Sequence, residues 1–147
     1  MIQRIQSVYL FISIVLTGLL FLLPFAEIAK DGAIYLFNFK GISLDGVLKV
    51  NGMVIPVLLV VIMVLHSLSI FSFKNRARQN RIVVFAILAL VVLIGLFIYF
   101  TYISFSGALI SFKFGIVLPL VAIVVDYLAI RAIGKDEALI RSIDRIR

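Results

Sequence analysis

The stretch IVVFAILALVVLIGLFIYFTYISF, Ile82 to Phe105, contains no Asp, Glu, Lys or Arg and is apolar on every face as far as Phe100. Such a run lacks the polar side of a surface helix and the alternation of a half-buried strand. An α-helix rises 1.5 Å per residue, so about 20 apolar residues cross a hydrocarbon core about 30 Å thick. Working outward, three further runs of similar length follow the same pattern: Ile5 to Phe25, Met53 to Phe73 and Phe114 to Ile133. The spacing predicts four transmembrane helices over 5–25, 53–73, 82–105 and 114–133, joined by short charged connectors.

Composition agrees. Of the 147 residues, 64% are hydrophobic and 14% charged, against about half and a quarter in a soluble domain. A spanning segment must satisfy its backbone internally, which leaves helices or closed barrels. Barrel strands alternate in polarity over about ten residues, and Val54 to Leu65 does not. The expected fold is therefore all-α: one domain, 1–147, built as a four-transmembrane-helix bundle with a periplasmic loop at 26–52 and a cytoplasmic tail at 134–147. The first run is too long for the core of a signal peptide, and Pro24-Phe25-Ala26 lacks the small residues of a cleavage site. The absence of cysteine excludes disulfides within the chain, Cys-ligated metals and iron–sulfur clusters.

Basic residues set the orientation, because Lys- and Arg-rich loops stay in the cytoplasm. Arg4, then Lys74, Arg76, Arg78 and Arg81, then Arg131, Lys135, Arg141, Arg145 and Arg147 account for ten of the fourteen. The other side has Lys30, Lys40 and Lys49 against Glu27, Asp31 and Asp45, with Lys113 in the last connector. Both termini are expected in the cytoplasm. The net charge of +7 does not call for nucleic acid, since the basic residues lie where topology places them, beside anionic headgroups. Lys74, Arg76, Arg78 and Arg81 read as lipid anchors, with an acidic partner as the alternative.

The connector at 26–52 carries turn signals at Asp31-Gly32, Lys40-Gly41, Asp45-Gly46 and Asn51-Gly52. Tyr35, Phe37 and Phe39 alternate with polar or aliphatic residues, which predicts a short β-hairpin over 33–50 with three aromatics on one face. An irregular interfacial loop is the alternative, and the three aromatics are also candidates for a docking patch. Beyond a break at Gly134, Leu139, Ile143 and Ile146 recur at helical spacing. This predicts a separate amphipathic helix lying on the membrane or on a partner, with Arg141 and Arg145 on it.

Asp126 is the one acidic residue within a span, and His66 is the only histidine. Each lies about seven residues, or about 10 Å, from the cytoplasmic end of its helix, so the two can meet. Gln3, Arg4, Gln6 and Arg131 are further partners from that side. The pair reads as an inter-helix polar clamp, or as a proton relay in which an imidazole beside a carboxylate titrates near neutral pH. No arrangement of nucleophile and base, metal ligands or cofactor contacts emerges, so no catalytic residue and no cofactor is expected.

The opening Met1-Ile2-Gln3-Arg4-Ile5-Gln6-Ser7-Val8-Tyr9-Leu10 and the closing Arg131-Ala132-Ile133, Lys135-Asp136-Glu137, Arg141-Ser142 and Asp144-Arg145-Ile146-Arg147 resemble an uncharacterised family. Its members are small four-span bacterial inner-membrane proteins labelled as a domain of unknown function. The resemblance covers the whole chain and implies the topology but no activity. The expected role is a non-enzymatic accessory or assembly subunit of a larger membrane complex, with other membrane-protein subunits and anionic lipid as partners. A small proton-coupled transporter using Asp126 is the alternative.

Overall fold

The computed structural model describes residues 5–73, 75–103 and 107–144. Among them the elements run α1 Ile5–Leu19, β1 Ala26–Lys30, β2 Ala33–Asn38, β3 Gly41–Leu44, β4 Val47–Asn51, α2 Val54–Phe71, α3 Arg76–Ile98, β5 Leu109–Phe112 and α4 Leu118–Asp144. The fold is α+β, which corrects the all-α bundle expected above. Four helices carry one five-stranded antiparallel sheet of order β4-β3-β2-β1-β5. Long apolar runs announce helices, whereas strands of four to six residues inside connectors leave little periodicity to read.

The first apolar run does not stay helical to Phe25. α1 ends at Leu19 and tightens, Leu20 N–H donating to Thr17 and Phe21 N–H to Gly18 at 3.2 and 3.1 Å. Pro24, which has no N–H and disfavours helix in the residue before it, then turns the chain into the sheet. Phe25 N–H donates to Phe37 at 2.8 Å, and Lys113 N–H donates to Phe25 at 2.9 Å.

The expected hairpin over 33–50 is part of a larger ladder. Asp31 and Gly32 take φ of 54° and 77°, and Asp45 and Gly46 take 48° and 80°. Positive φ at both central residues matches the right-handed twist of the strands, so each Asp-Gly closes a two-residue turn, β1 to β2 and β3 to β4. One extra residue on β4, between Val50 and Leu48, bulges opposite the Ile42–Ser43 step. The last connector, expected as a plain loop, supplies β5, which pairs with β1 from Ala26↔Phe112 to Ala29↔Leu109.

Asn75 caps α3, its side chain accepting from Arg78 N–H at 3.1 Å. Beyond Ile98 a π-helical turn covers Tyr99–Ile103, where the Thr101 hydroxyl donates to the Phe97 carbonyl. α4 passes through Gly134 without a break. The separate tail helix is therefore corrected to a continuation of α4. The side chains of Leu139 and Ile143, and all of Ile146, lie outside the described residues.

Each helix packs on two neighbours in the cycle α1-α2-α3-α4. The sheet lies across one end. Ile28, Phe37 and Ile42 on its inner face are buried against Ile55, Leu59 and Leu93 of the helices. Phe25 and Phe97 stack with centroids 4.2 Å apart, and Phe37 meets both edge-on at 5.2 and 5.8 Å. Leu10, Val83, Ala129 and Ile133 form a second apolar layer toward the opposite end. Three helical stretches, Val54–Phe71, Arg76–Ile103 and Phe114–Asp136, are long and apolar enough to cross a membrane, and α1 is shorter. Their outward faces are apolar as well, with Val57, Val60, Val64, Phe85, Leu88 and Val91 exposed. This is compatible with a membrane protein.

Candidate functional site, a buried polar layer among the helices

On α1, Gln6, Leu10, Ser13 and Thr17 are the buried positions, three or four residues apart and hence on one face. Ser13 on that face meets Asp126 of α4 and His66 of α2. The Ser13 hydroxyl donates to Asp126 Oδ1 at 2.6 Å, and His66 Nε2 lies 2.9 Å from each Asp126 oxygen. Thr17 sits one turn further and donates to the Ser13 carbonyl at 2.8 Å. Both His66 and Asp126 have no solvent exposure.

The proton count follows from the contacts. His66 Nδ1 stands 2.9 Å from the Ile62 carbonyl, which can only accept, so Nδ1 carries a hydrogen. Nε2 facing a carboxyl group at 2.9 Å then needs a second hydrogen between them. The pair thus holds one shared proton, either as imidazolium with carboxylate or as imidazole with carboxylic acid. Both arrangements are neutral overall, which is what full burial demands, because an isolated charge here would cost many kcal/mol.

The pair is closed on both sides. Toward the sheet lie Ile62, Leu90 and Ala122 of the main core, and toward the other end lies the layer of Leu10, Val83, Ala129 and Ile133. α3 passes the same level with Ala86, buried between Val83 and Leu90. Beyond the second layer polar groups return: Gln6 Nε2 donates to Asp136 Oδ2 at 3.3 Å, Arg76 lies 3.9 Å from the same oxygen, and Ser69 donates to the Gln79 carbonyl at 3.5 Å. Gln79 is fully buried and its side-chain amide has no hydrogen-bond partner among the described residues. Among the described residues no three of His, Cys, Asp or Glu converge as metal ligands would.

The contact of Gln6 with Asp136, and of Arg76 with the same carboxylate, gathers the start of α1, the start of α3 and the latter part of α4 at the end opposite the sheet. The family model of a domain of unknown function, DUF4293, matches residues 2–146. The chain belongs to that family. No curated protein and no solved structure shows significant similarity to it.

In this DUF4293 chain the residues singled out from sequence fall in different places. His66 and Asp126 are brought together. Phe37 is fully buried, and Tyr35 and Phe39 pack against the same core, Phe39 with its ring 5.4 Å from Phe21, so these aromatics face the helices rather than solvent. Arg78 and Arg81 are exposed at the start of α3, and Arg76 turns toward Asp136. Gln6 contacts Asp136 rather than Asp126, and Arg131 points outward. Lys74 and Arg145, with Gln3 and Arg4, lie outside the described residues, as does the side chain of Arg141. Sequence reasoning missed Ser13 and Gln79. The signal for Ser13 was available in the helical repeat Gln6, Ser13, Thr17, a polar line on an otherwise apolar segment.

Proposed function

We propose that this DUF4293 chain is a multi-pass protein of a bacterial inner membrane, both termini cytoplasmic, and serves as a non-enzymatic accessory or assembly subunit of a larger membrane complex. The apolar outward faces of the helices and the basic end opposite the sheet support the membrane placement. The observation that carries the accessory reading is the sheet's far face. Ile34, Leu36, Leu48 and Leu109, 38% to 80% exposed, share that face across β2, β4 and β5. Ile34, Leu36 and Leu48, with Asn38, Lys40, Ser43 and Asp45, line a hollow of 500 Å³ on it. The face points away from the helices, so the chain's own core does not cover it. Exposed apolar side chains set among polar ones, here Glu27, Ser43 and Asn38 on the same face, mark interaction sites, and the occupant we assign is the extramembrane part of another membrane subunit.

Purification in mild detergent tests this. The intact chain should bring down a stoichiometric membrane-protein partner, and Ile34→Gln with Leu48→Gln should release it while thermal stability is unchanged. A lone monomer or a simple homodimer from wild type overturns the reading.

The shared proton favours a second reading, proton-coupled transport using Asp126. Four helices leave little room for a central path, so a homodimer would be the working unit. Proton-driven flux in liposomes that is lost in Asp126→Asn supports it, and flux indifferent to that substitution removes it.

A further inference from the structure

A groove of 280 Å³ opens between α1 and α4 near the end opposite the sheet, lined by Ile5, Tyr9, Leu128, Arg131, Lys135 and Asp136 among others. Its chemistry is graded along its length. On α4, Leu128, Arg131 and Lys135 follow one another at three- and four-residue spacing on one face, with Leu128 nearer the sheet and Lys135 farther from it. On α1, Tyr9 lies deeper than Ile5. The groove is therefore apolar and aromatic at its inner end, and at its outer end Arg131 and Lys135 stand with Asp136 and Ile5.

The groove is net positive, two cations against the one carboxylate of Asp136. Asp136, 40% exposed, contacts Gln6 at 3.3 Å and Arg76 at 3.9 Å, and Arg131 and Lys135 are exposed and in no ion pair among the described residues. From Leu128 to Lys135 the helix rises about 10 Å, more than the thickness of one interfacial layer, about 5–8 Å. A helix placed in the bilayer as proposed above would carry this groove across the boundary between acyl chains and headgroups. The volume lies just below those of pockets that enclose a drug-sized ligand, about 300–1,000 Å³, so it holds part of a lipid and leaves the rest in the bilayer.

We infer that this groove is a binding site for an anionic glycerophospholipid. The phosphate sits between Arg131 and Lys135, and one acyl chain runs along Leu128 and Tyr9. The site rests on the membrane reading and adds to it a defined position on the protein, distinct from the general attraction of basic connectors to an acidic leaflet.

The test uses the full chain in nanodiscs with spin-labelled phosphatidylglycerol or phosphatidylcholine as probe, reading the immobilised fraction. Wild type should prefer phosphatidylglycerol. Near-surface electrostatics predict about fivefold loss of that preference for Arg131→Gln or Lys135→Gln and about 25-fold for both together. Arg131→Lys should keep it, as should Arg78→Gln with Arg81→Gln, which remove equal charge from the neighbouring connector. Equal loss in the Arg78/Arg81 pair overturns the site in favour of diffuse attraction, and displacement of the labelled lipid by millimolar inorganic phosphate overturns it in favour of a soluble anion. Insertion into nanodiscs without lipid preference sinks the groove alone. A chain that does not enter nanodiscs sinks the membrane reading with it.

Discussion

Gly41 and Gly52 lie backbone against backbone: a β carbon on Gly52 would stand 2.7 Å from the α carbon of Gly41, and one on Gly41 would stand 2.1 Å from the Val50 carbonyl oxygen. Gly52 N–H donates to Lys40 at 2.9 Å across this contact, which joins the exit of β4, just before α2, to the start of β3. Gly41 also has φ of 122°, whereas Gly32 and Gly46 have positive φ but open space around them. Left-handed backbone costs a residue with a side chain about 1–2 kcal/mol, and forcing atoms into a packed site adds about 1–3 kcal/mol. Gly41→Ala should therefore destabilise by about 2–5 kcal/mol and Gly32→Ala by about 1–2 kcal/mol, read from thermal melts in one detergent. Equal effects at the two positions would show that the close approach is not needed.

The shared proton of His66 and Asp126 sets a magnitude that separates it from an ordinary polar contact. Hydrogen bonds between helices in membranes average about 0.6 kcal/mol in mutant cycles, and hydrogen bonds to charged groups contribute about 1.5–3 kcal/mol. A cycle of His66→Ala, Asp126→Ala and the double variant should give a coupling in the upper range. Each single variant should cost about 3–5 kcal/mol, because it strands a buried partner, and the double should cost less than the sum. Asp126→Asn can still donate to Nε2, so it should be milder than Asp126→Ala. In ¹⁵N spectra that substitution should leave Nδ1 protonated by its bond to Ile62 and Nε2 bare. A proton remaining on Nε2 would contradict the count.

Neighbours on β2 should behave oppositely. Phe37 is fully buried among Phe25, Phe97 and Phe100, and Phe37→Ala should cost about 3–5 kcal/mol. Ile34, on the far face and 65% exposed, should accept Gln within about 0.5 kcal/mol. Chemical denaturation of both variants checks the register of the strand, since a slip by one residue would exchange the two results.

These elements also show where the sequence was legible. Asp31-Gly32 and Asp45-Gly46 announced their turns, because few other dipeptides take two positive φ values cheaply, and both turns are where expected. What they could not announce was the second neighbour of β1. Leu109 to Phe112 pairs with Ala26 to Ala29 across some eighty residues, and nothing local in a short apolar segment distinguishes an edge strand from a loop. That non-local pairing adds the fifth strand; the other four are a local meander in which β1, β2, β3 and β4 each pair with the next, where a single hairpin over 33–50 was expected. The end of α1 was hidden for a different reason: Leu20 to Leu23 continue the apolar run while the backbone already turns. The positions of His66 and Asp126 within their helices were countable from the ends of the apolar runs, because depth follows from a fixed rise per residue. Ser13 was not sought, since a single hydroxyl in an apolar helix has no spacing of its own until it is aligned with Gln6 and Thr17.

The effect of alanine at Gly134 has opposite signs for a continuous α4 and for a helix broken at the glycine. A glycine that breaks a helix does so by taking left-handed backbone, and alanine there is strained. In the structure Gly134 lies inside α4, has no positive φ, and leaves open space where a β carbon would go. Alanine at such a position removes the backbone entropy that glycine loses on folding and adds no clash, a gain of about 0.5–1 kcal/mol. Gly134→Ala should therefore raise both the midpoint of thermal unfolding and the helical signal in circular dichroism. A fall in both would mean that the helix stops at Gly134, as its sequence context first implied, and that the tail beyond it docks separately.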